Sequence, residues 1–311
     1  MGGAVTRRLR APAAALWLIA GGTLAAQQTQ VFRTGTDVVL LNVTVADTSG
    51  RHIGGLTADD FQVLEDGVPQ TITNFSREPR PISLSLVIDS STSMEQRMPI
   101  AQQAAIGFVR RLTPADTAQV IDFDSQPIVL QPFTNDAAAL ERAITRTSAG
   151  GSTSLYNAVY VALSELRQAH ARIAADIRRQ AIVLLSDGED TSSLKTAEEV
   201  IDLAKRTDTL VYAISLRDRE ERARGQWSEA DFVLRSLAQE TGARAYFVND
   251  ASELEAIYVQ IADELANQYT LGYTSTNSKR DGEWRRITVK TTRPGTVART
   301  RSGYYGPKAA R

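Results

Sequence analysis

Residues 84–94 read Leu-Ser-Leu-Val-Ile-Asp-Ser-Ser-Thr-Ser-Met, and this stretch decides the fold. Leu84 to Ile88 is a nearly continuous apolar run, the pattern of a strand covered on both faces. Asp89 stands where that strand ends. Beyond it Met94, Met98, Ala101, Ala105, Phe108 and Leu112 recur at helical spacing. A buried strand leading into an amphipathic helix opens an α/β unit.

The alternation continues toward the C-terminus. Val120–Phe123 and Ile128–Leu130 read as two strands close together, which predicts a hairpin with one antiparallel edge strand. Leu155, Val159, Ala162, Leu163 and Leu166 mark one helix face. Ile182–Leu185, Leu210–Ile214 and Ala245–Val248 are strand-like. Ala197–Arg206, Asp231–Thr241 and Ser252–Asn267 are helical. The expectation over residues 82–268 is a doubly wound, mostly parallel six-stranded sheet with helices on both faces.

The flanks read differently. Residues 31–81 hold short alternating runs, Val38–Val45, Phe61–Leu64 and Thr71–Phe75, broken by turn formers such as Asp66-Gly67. Residues 269–307 are strand-like again at Tyr269–Tyr273 and Arg286–Thr291. Neither flank suffices for a domain, so the two are expected to pair into one small β-rich, sandwich-like unit.

The first 26 residues read as an export signal. Arg7, Arg8 and Arg10 precede the apolar stretch Ala11–Ala20, and small residues end at Ala25-Ala26. The apolar run is short for a spanning helix, which needs about 20 residues. A cleaved signal is therefore expected, giving a periplasmic or secreted chain with no membrane span, and an uncleaved N-terminal anchor is the alternative. Cleavage would remove three of the 35 basic residues and none of the 36 acidic ones, taking the net charge from −1 to −4. With charges of both signs scattered, nothing points to nucleic acid. The chain has no cysteine, which excludes a thiolate metal site and a cysteine nucleophile.

The candidate chemistry lies at strand ends. In extended backbone, side chains two apart point the same way. Asp89, Ser91 and Ser93 can therefore aim one carboxylate and two hydroxyls at a point, all hard donors suited to Mg²⁺, Mn²⁺ or Ca²⁺. Gly150-Gly151-Ser152-Thr153 precedes a helix starting near Ser154 and offers a further hydroxyl on Thr153, with Ser152 as its rival. Asp187, in Leu-Leu-Ser-Asp-Gly-Glu-Asp, ends the fourth strand of the unit much as Asp89 ends the first. Ligands of open α/β sheets bind beyond the carboxyl ends of strands where the order reverses. With a strand order of 3-2-1-4-5-6, Asp89 and Asp187 would face each other there.

Single features also have plainer readings. Ser and Asp before a helix often only cap backbone N–H groups. Glu189 and Asp190 read as solvated, with a place at the rim of the site as the alternative, and Asp122 and Asp124 as solvent-facing or loop positions. An aspartate nucleophile of a Mg²⁺-dependent phosphohydrolase is a further alternative, but Ser91 stands where a second acid is expected. No nucleophile elbow, HExxH or P-loop lysine is present.

Together, the D-x-S-x-S loop, the threonine before a helix and the S-D-G strand end resemble the metal-ion-dependent adhesion site of von Willebrand factor A domains. The resemblance covers roughly residues 82–268. It implies that Asp89, Ser91, Ser93 and Thr153 surround the metal, with Asp187 acting through water. It further implies a protein ligand that offers an acidic side chain to a vacant coordination position, no catalysis, and a final helix that moves when the domain switches. Ser186 where threonine is common, and the extra Ser152, depart from the family pattern. The flanks, including Leu56–Gly67 and the terminal Arg301–Tyr305, resemble bacterial exported proteins of this group. A structural scaffold whose β-rich flanks make the contacts is the competing non-metal reading.

Overall fold

The computed structural model describes residues 38–172, 178–187, 189–216 and 229–309, together with Gly2. The expected export signal, residues 31–37 and Gly188 lie outside the described residues. The described residues from Val38 onward form one compact unit.

The chain opens with four strands, β1 (Val38–Asp47), β2 (Phe61–Glu65), β3 (Val68–Gln70) and β4 (Ile72–Ser76). It then enters the alternating region as β5 (Ile82–Asp89), α1 (Met98–Val109), β6 (Thr117–Phe123), β7 (Pro127–Thr134), α2 (Ala137–Thr145), α3 (Leu155–Arg172), β8 (Arg179–Ser186), α4 (Ala197–Arg206), β9 (Thr209–Leu216), α5 (Glu229–Thr241), β10 (Ala245–Val248) and α6 (Leu254–Ala266). It closes with β11 (Tyr269–Thr274), β12 (Trp284–Thr291), β13 (Thr296–Arg299) and β14 (Gly303–Tyr305).

Six strands form the central sheet in the order β10-β9-β8-β5-β6-β7. All neighbours are parallel except β7, which runs antiparallel to β6 at the edge. Numbered from β5 this is the expected 3-2-1-4-5-6. Every residue of β5 is buried, because helices cover both faces. Leu84, Leu86 and Ile88 pack with α1, α2 and α6 on one face. Val87 packs with α3, α4 and α5 on the other. Alternate side chains of one strand thus feed two separate cores.

The flanking strands make two four-stranded antiparallel sheets, ordered β13-β1-β11-β4 and β14-β12-β2-β3. Each interleaves strands from both ends of the chain. Leu41 and Val43 of β1, Val63 of β2, Leu271 and Tyr273 of β11 and Ile287 of β12 share one core between the sheets. The second sheet encloses an ion pair, Glu65 with Arg285, both about 2% exposed. The Tyr273 and Tyr304 hydroxyls donate to Glu65 at 2.7 and 2.9 Å. Buried charges persist where such partners satisfy them.

These sheets are joined to the α/β layers. Arg179, at the start of β8, donates to the carbonyls of Leu265 and Gln268 where α6 gives way to β11. Arg299 of β13 pairs with Glu264 of α6. Gly242 has φ +83°, and a Cβ there would lie 2.3 Å from the backbone carbon of Thr300, so only glycine permits that approach. Among the described residues no helix is long and apolar enough to cross a membrane.

Candidate metal centre at the sheet switch point

The order reverses at β5. The chain leaves it for β6 on one side and later returns to β8 on the other, so the ends of β5 and β8 lie side by side. Ile88 pairs with Leu185, which places Asp89 next to Ser186 and Asp187.

Asp89 is fully buried. Its Oδ1 accepts from the Ser91 N–H at 2.9 Å and its Oδ2 from the Ser186 hydroxyl at 2.6 Å. The Ser91 and Ser93 hydroxyls lie 3.0 Å apart. Ser93 Oγ donates to Asp187 Oδ1 at 2.7 Å. Four of the five sequence-predicted residues, Asp89, Ser91, Ser93 and Asp187, therefore form one continuous polar cluster. Ser91 and Asp187 are 2% and 6% exposed.

Thr153, the fifth, is buried in the loop beside them. That loop is stitched to the first through Gly150 N–H to Ser90 C=O at 2.7 Å and Thr92 N–H to Gly151 C=O at 3.3 Å. Gly151 has φ +68°, and a Cβ there would meet Ser125 and Asp124 within 3 Å. Thr153 also exchanges backbone bonds with the loop after β8, accepting from Thr191 and Ser192 N–H and donating to the Thr191 hydroxyl at 2.9 Å. The rival hydroxyl, on Ser152, turns instead to Ser125 Oγ at 3.1 Å.

The chemistry of this donor set suits a hard cation. Asp89 receives only neutral donors. Burial pushes its carboxyl up to about 6 against the hydrogen bonds from Ser186 and Ser91, and nearby Asp187 adds to the rise. An ionised carboxylate buried without a cation is costly, so Asp89 has the capacity to take one. Oxygen donors alone, carboxylate and hydroxyl, fit Mg²⁺, Mn²⁺ or Ca²⁺. Among the described residues no three His, Cys, Asp or Glu side chains cluster. The donors gathered here are two carboxylates and several hydroxyls.

One residue at the site, Arg97, escapes sequence reasoning, and the solvated reading of Asp190 is corrected. Arg97 donates through Nη1 to Asp187 Oδ2 in a short ion pair. It is the one basic residue between Ile82 and Val109, but spacing does not say where so long a side chain ends. Asp190 is half-buried rather than solvated. It accepts from the Tyr156 N–H at 3.2 Å and the Ser193 hydroxyl at 2.6 Å, tying the loop after β8 to the first turn of α3. The Asp-x-x-Ser spacing was its one signal. Asp122 is likewise half-buried, and burial raises its pKa.

Comparison with known proteins agrees with this architecture. Residues 84–189 match the family model of the von Willebrand factor type A domain. Over 266 residues the chain is 27% identical to a UPF0353 protein of Mycolicibacterium paratuberculosis, covering 79% of this chain and 78% of the relative. Over 236 residues it is 28% identical to a UPF0353 protein of Mycobacterium leprae, covering 70% and 69%. A solved structure, the von Willebrand factor type A protein from Catenulispora acidiphila, superposes with a TM-score of 0.52 at 13% identity over 80% of this chain and 74% of that one. This last likeness is one of fold.

Proposed function

We propose that this chain, whose residues 84–189 form a von Willebrand factor type A domain, is an exported, non-enzymatic interaction protein that captures a partner through one divalent cation. The observation that supports it most is Asp89, fully buried and held by neutral donors alone at the switch point of the sheet. Asp89, Ser91, Ser93 and Thr153 would hold the metal, and Asp187 would act on it directly or through water. Mg²⁺ fits the donors, as do Mn²⁺ and Ca²⁺. A cation bound there supplies Lewis acidity and positive charge toward a carboxylate of the partner.

The protein's own part is orientation. Ser186 and the Ser91 N–H fix both Asp89 oxygens, and Ser93 fixes one oxygen of Asp187. The loops after β5 and β8 and before α3 are bonded to one another, so the donors are set before any ligand arrives. Preorganisation of this kind lowers the ordering cost of binding. The position two residues after Asp89 is a hydroxyl, with no second acid to protonate a leaving group, which supports a binding role over phosphoryl transfer.

Calorimetric titration of Mg²⁺ and Mn²⁺ into the chain without residues 1–26 tests the reading. Saturable one-site binding is expected, lost in Asp89→Ala and Asp89→Asn with circular dichroism unchanged. Equal binding by wild type and both variants would place the cation elsewhere. No binding by folded wild type would favour the scaffold reading.

A further inference from the structure

The Arg97–Asp187 ion pair lies inside the cluster proposed to hold the metal. Asp187 offers one oxygen to Ser93 and the other to the guanidinium, and its side chain is fully buried while that of Arg97 is 20% exposed. Arg97 also lines an open groove of about 530 Å³ beside the site, with Ser93, Gln96, Ile100, Asn249 and Asp250. Asp250 in that groove is exposed, and its acid is held down by the Ser252 N–H and hydroxyl. The Arg97 side chain thus reaches from the groove into the site, and Asp250 lines the same groove.

We infer that Arg97 is a resident counter-ion that competes with the divalent cation for Asp187 and so sets the metal affinity of the site. The inference rests on the metal-binding reading above. A guanidinium and a divalent ion on the same carboxylate repel each other in a poorly solvated pocket, where charges act more strongly than in water. Metal entry therefore requires Arg97 to withdraw from Asp187 Oδ2 into the groove, where Asp250 receives it. The cost of that withdrawal is subtracted from the metal's binding energy, so the chain holds its cation more loosely than the oxygen donors alone would allow. Arg97 acts through Asp187 and is a positioning residue. The pair meets Asp187 through Nη1 at Oδ2, a position a lysine ammonium can also take as a point charge.

The test is calorimetric titration of Mn²⁺ into wild type, Arg97→Gln and Arg97→Lys. Arg97→Gln is expected to bind about tenfold tighter or more, and Arg97→Lys to stay near wild type. Binding by Arg97→Gln alone, with wild type silent, would overturn the inference, since Arg97 would then exclude the cation rather than set the affinity of a bound one. Equal or weaker binding by Arg97→Gln, with wild type binding normally, would overturn the inference and leave the metal reading intact. No binding by either folded protein would overturn both. Should Arg97→Gln fail to fold, the guanidinium resonances of Arg97 in wild type decide: they shift on saturation with Mg²⁺ if Arg97 withdraws, and unchanged resonances in the saturated protein would refute it.

Discussion

At the residue scale the candidate site rests on which hydroxyl faces inward. Thr153 is 5% exposed, whereas the Ser152 hydroxyl is spent on Ser125. Thr153→Ala should weaken Mn²⁺ binding at least about tenfold, the cost of even an outer-shell loss. Ser152→Ala should leave it unchanged. Titration of the two variants side by side checks this, and the reverse pattern would assign the role to Ser152. Asp89, Ser91, Ser93 and Asp187 were legible in the sequence, because short side chains at strand ends have few places to go. Arg97 was not, since its guanidinium ends several bonds away from a backbone that gives it no direction. Between Ser152 and Thr153, the sequence favours Thr153 but does not dismiss Ser152 as a rival. The choice depends on the bonds Thr153 makes to residues 191 and 192, which no local pattern encodes.

At the scale of elements, α6 is tied firmly to the flanking sheets. Glu264 on its last turn is 3% exposed and pairs with Arg299 of β13, while Arg179 holds the carbonyls at its end. The helix then passes within two residues into β11, a strand paired on both sides with β1 and β4. Any axial shift of α6 would drag that strand. Arg299→Ala leaves Glu264 buried without its cation and should cost about 3 kcal/mol. Hydrogen exchange in the last turn of α6 should rise with it, and unaltered exchange and stability would show the clamp to be idle. The central elements were readable because each buries a face with its own period, as in β5 and α3. The start of α1 was read too early. Residues 92–94 form a 3-10 turn, and Pro99 favours a helix that begins just before it, at Met98. β3, β13 and β14 are three or four residues long and partly exposed, so they lack a readable alternation. Distant partners define them: β13 pairs with β1 and β14 with β12.

At the scale of the whole molecule, the described flanks and the α/β layers share many bonds. Tyr305 donates to Asp202 of α4 at 2.9 Å, Lys205 lies over the Trp284 ring, and Ser302 N–H donates to Glu240 C=O at 3.0 Å. Gly242 and Thr300 are in contact through their backbones. Residues 38–309 should therefore unfold in one cooperative step. Far-UV circular dichroism and the fluorescence of Trp284, with Trp17 and Trp227 replaced by Phe, should give coincident urea transitions. Two separated transitions would mean that the flanks form an independent module. Gly242→Ala, with no room for a methyl group and φ in the left-handed region, belongs to the same test and should move both curves together.

The central claim is that a cation sits where β5 and β8 end. Its most direct test is a crystal structure of the protein grown with Mn²⁺, with anomalous difference density to locate the metal. One strong peak is expected, touching the hydroxyls of Ser91 and Ser93, between Asp89, Thr153 and Asp187, with Arg97 turned away from Asp187. An empty cluster at saturating Mn²⁺, with Arg97 still paired to Asp187, would contradict it.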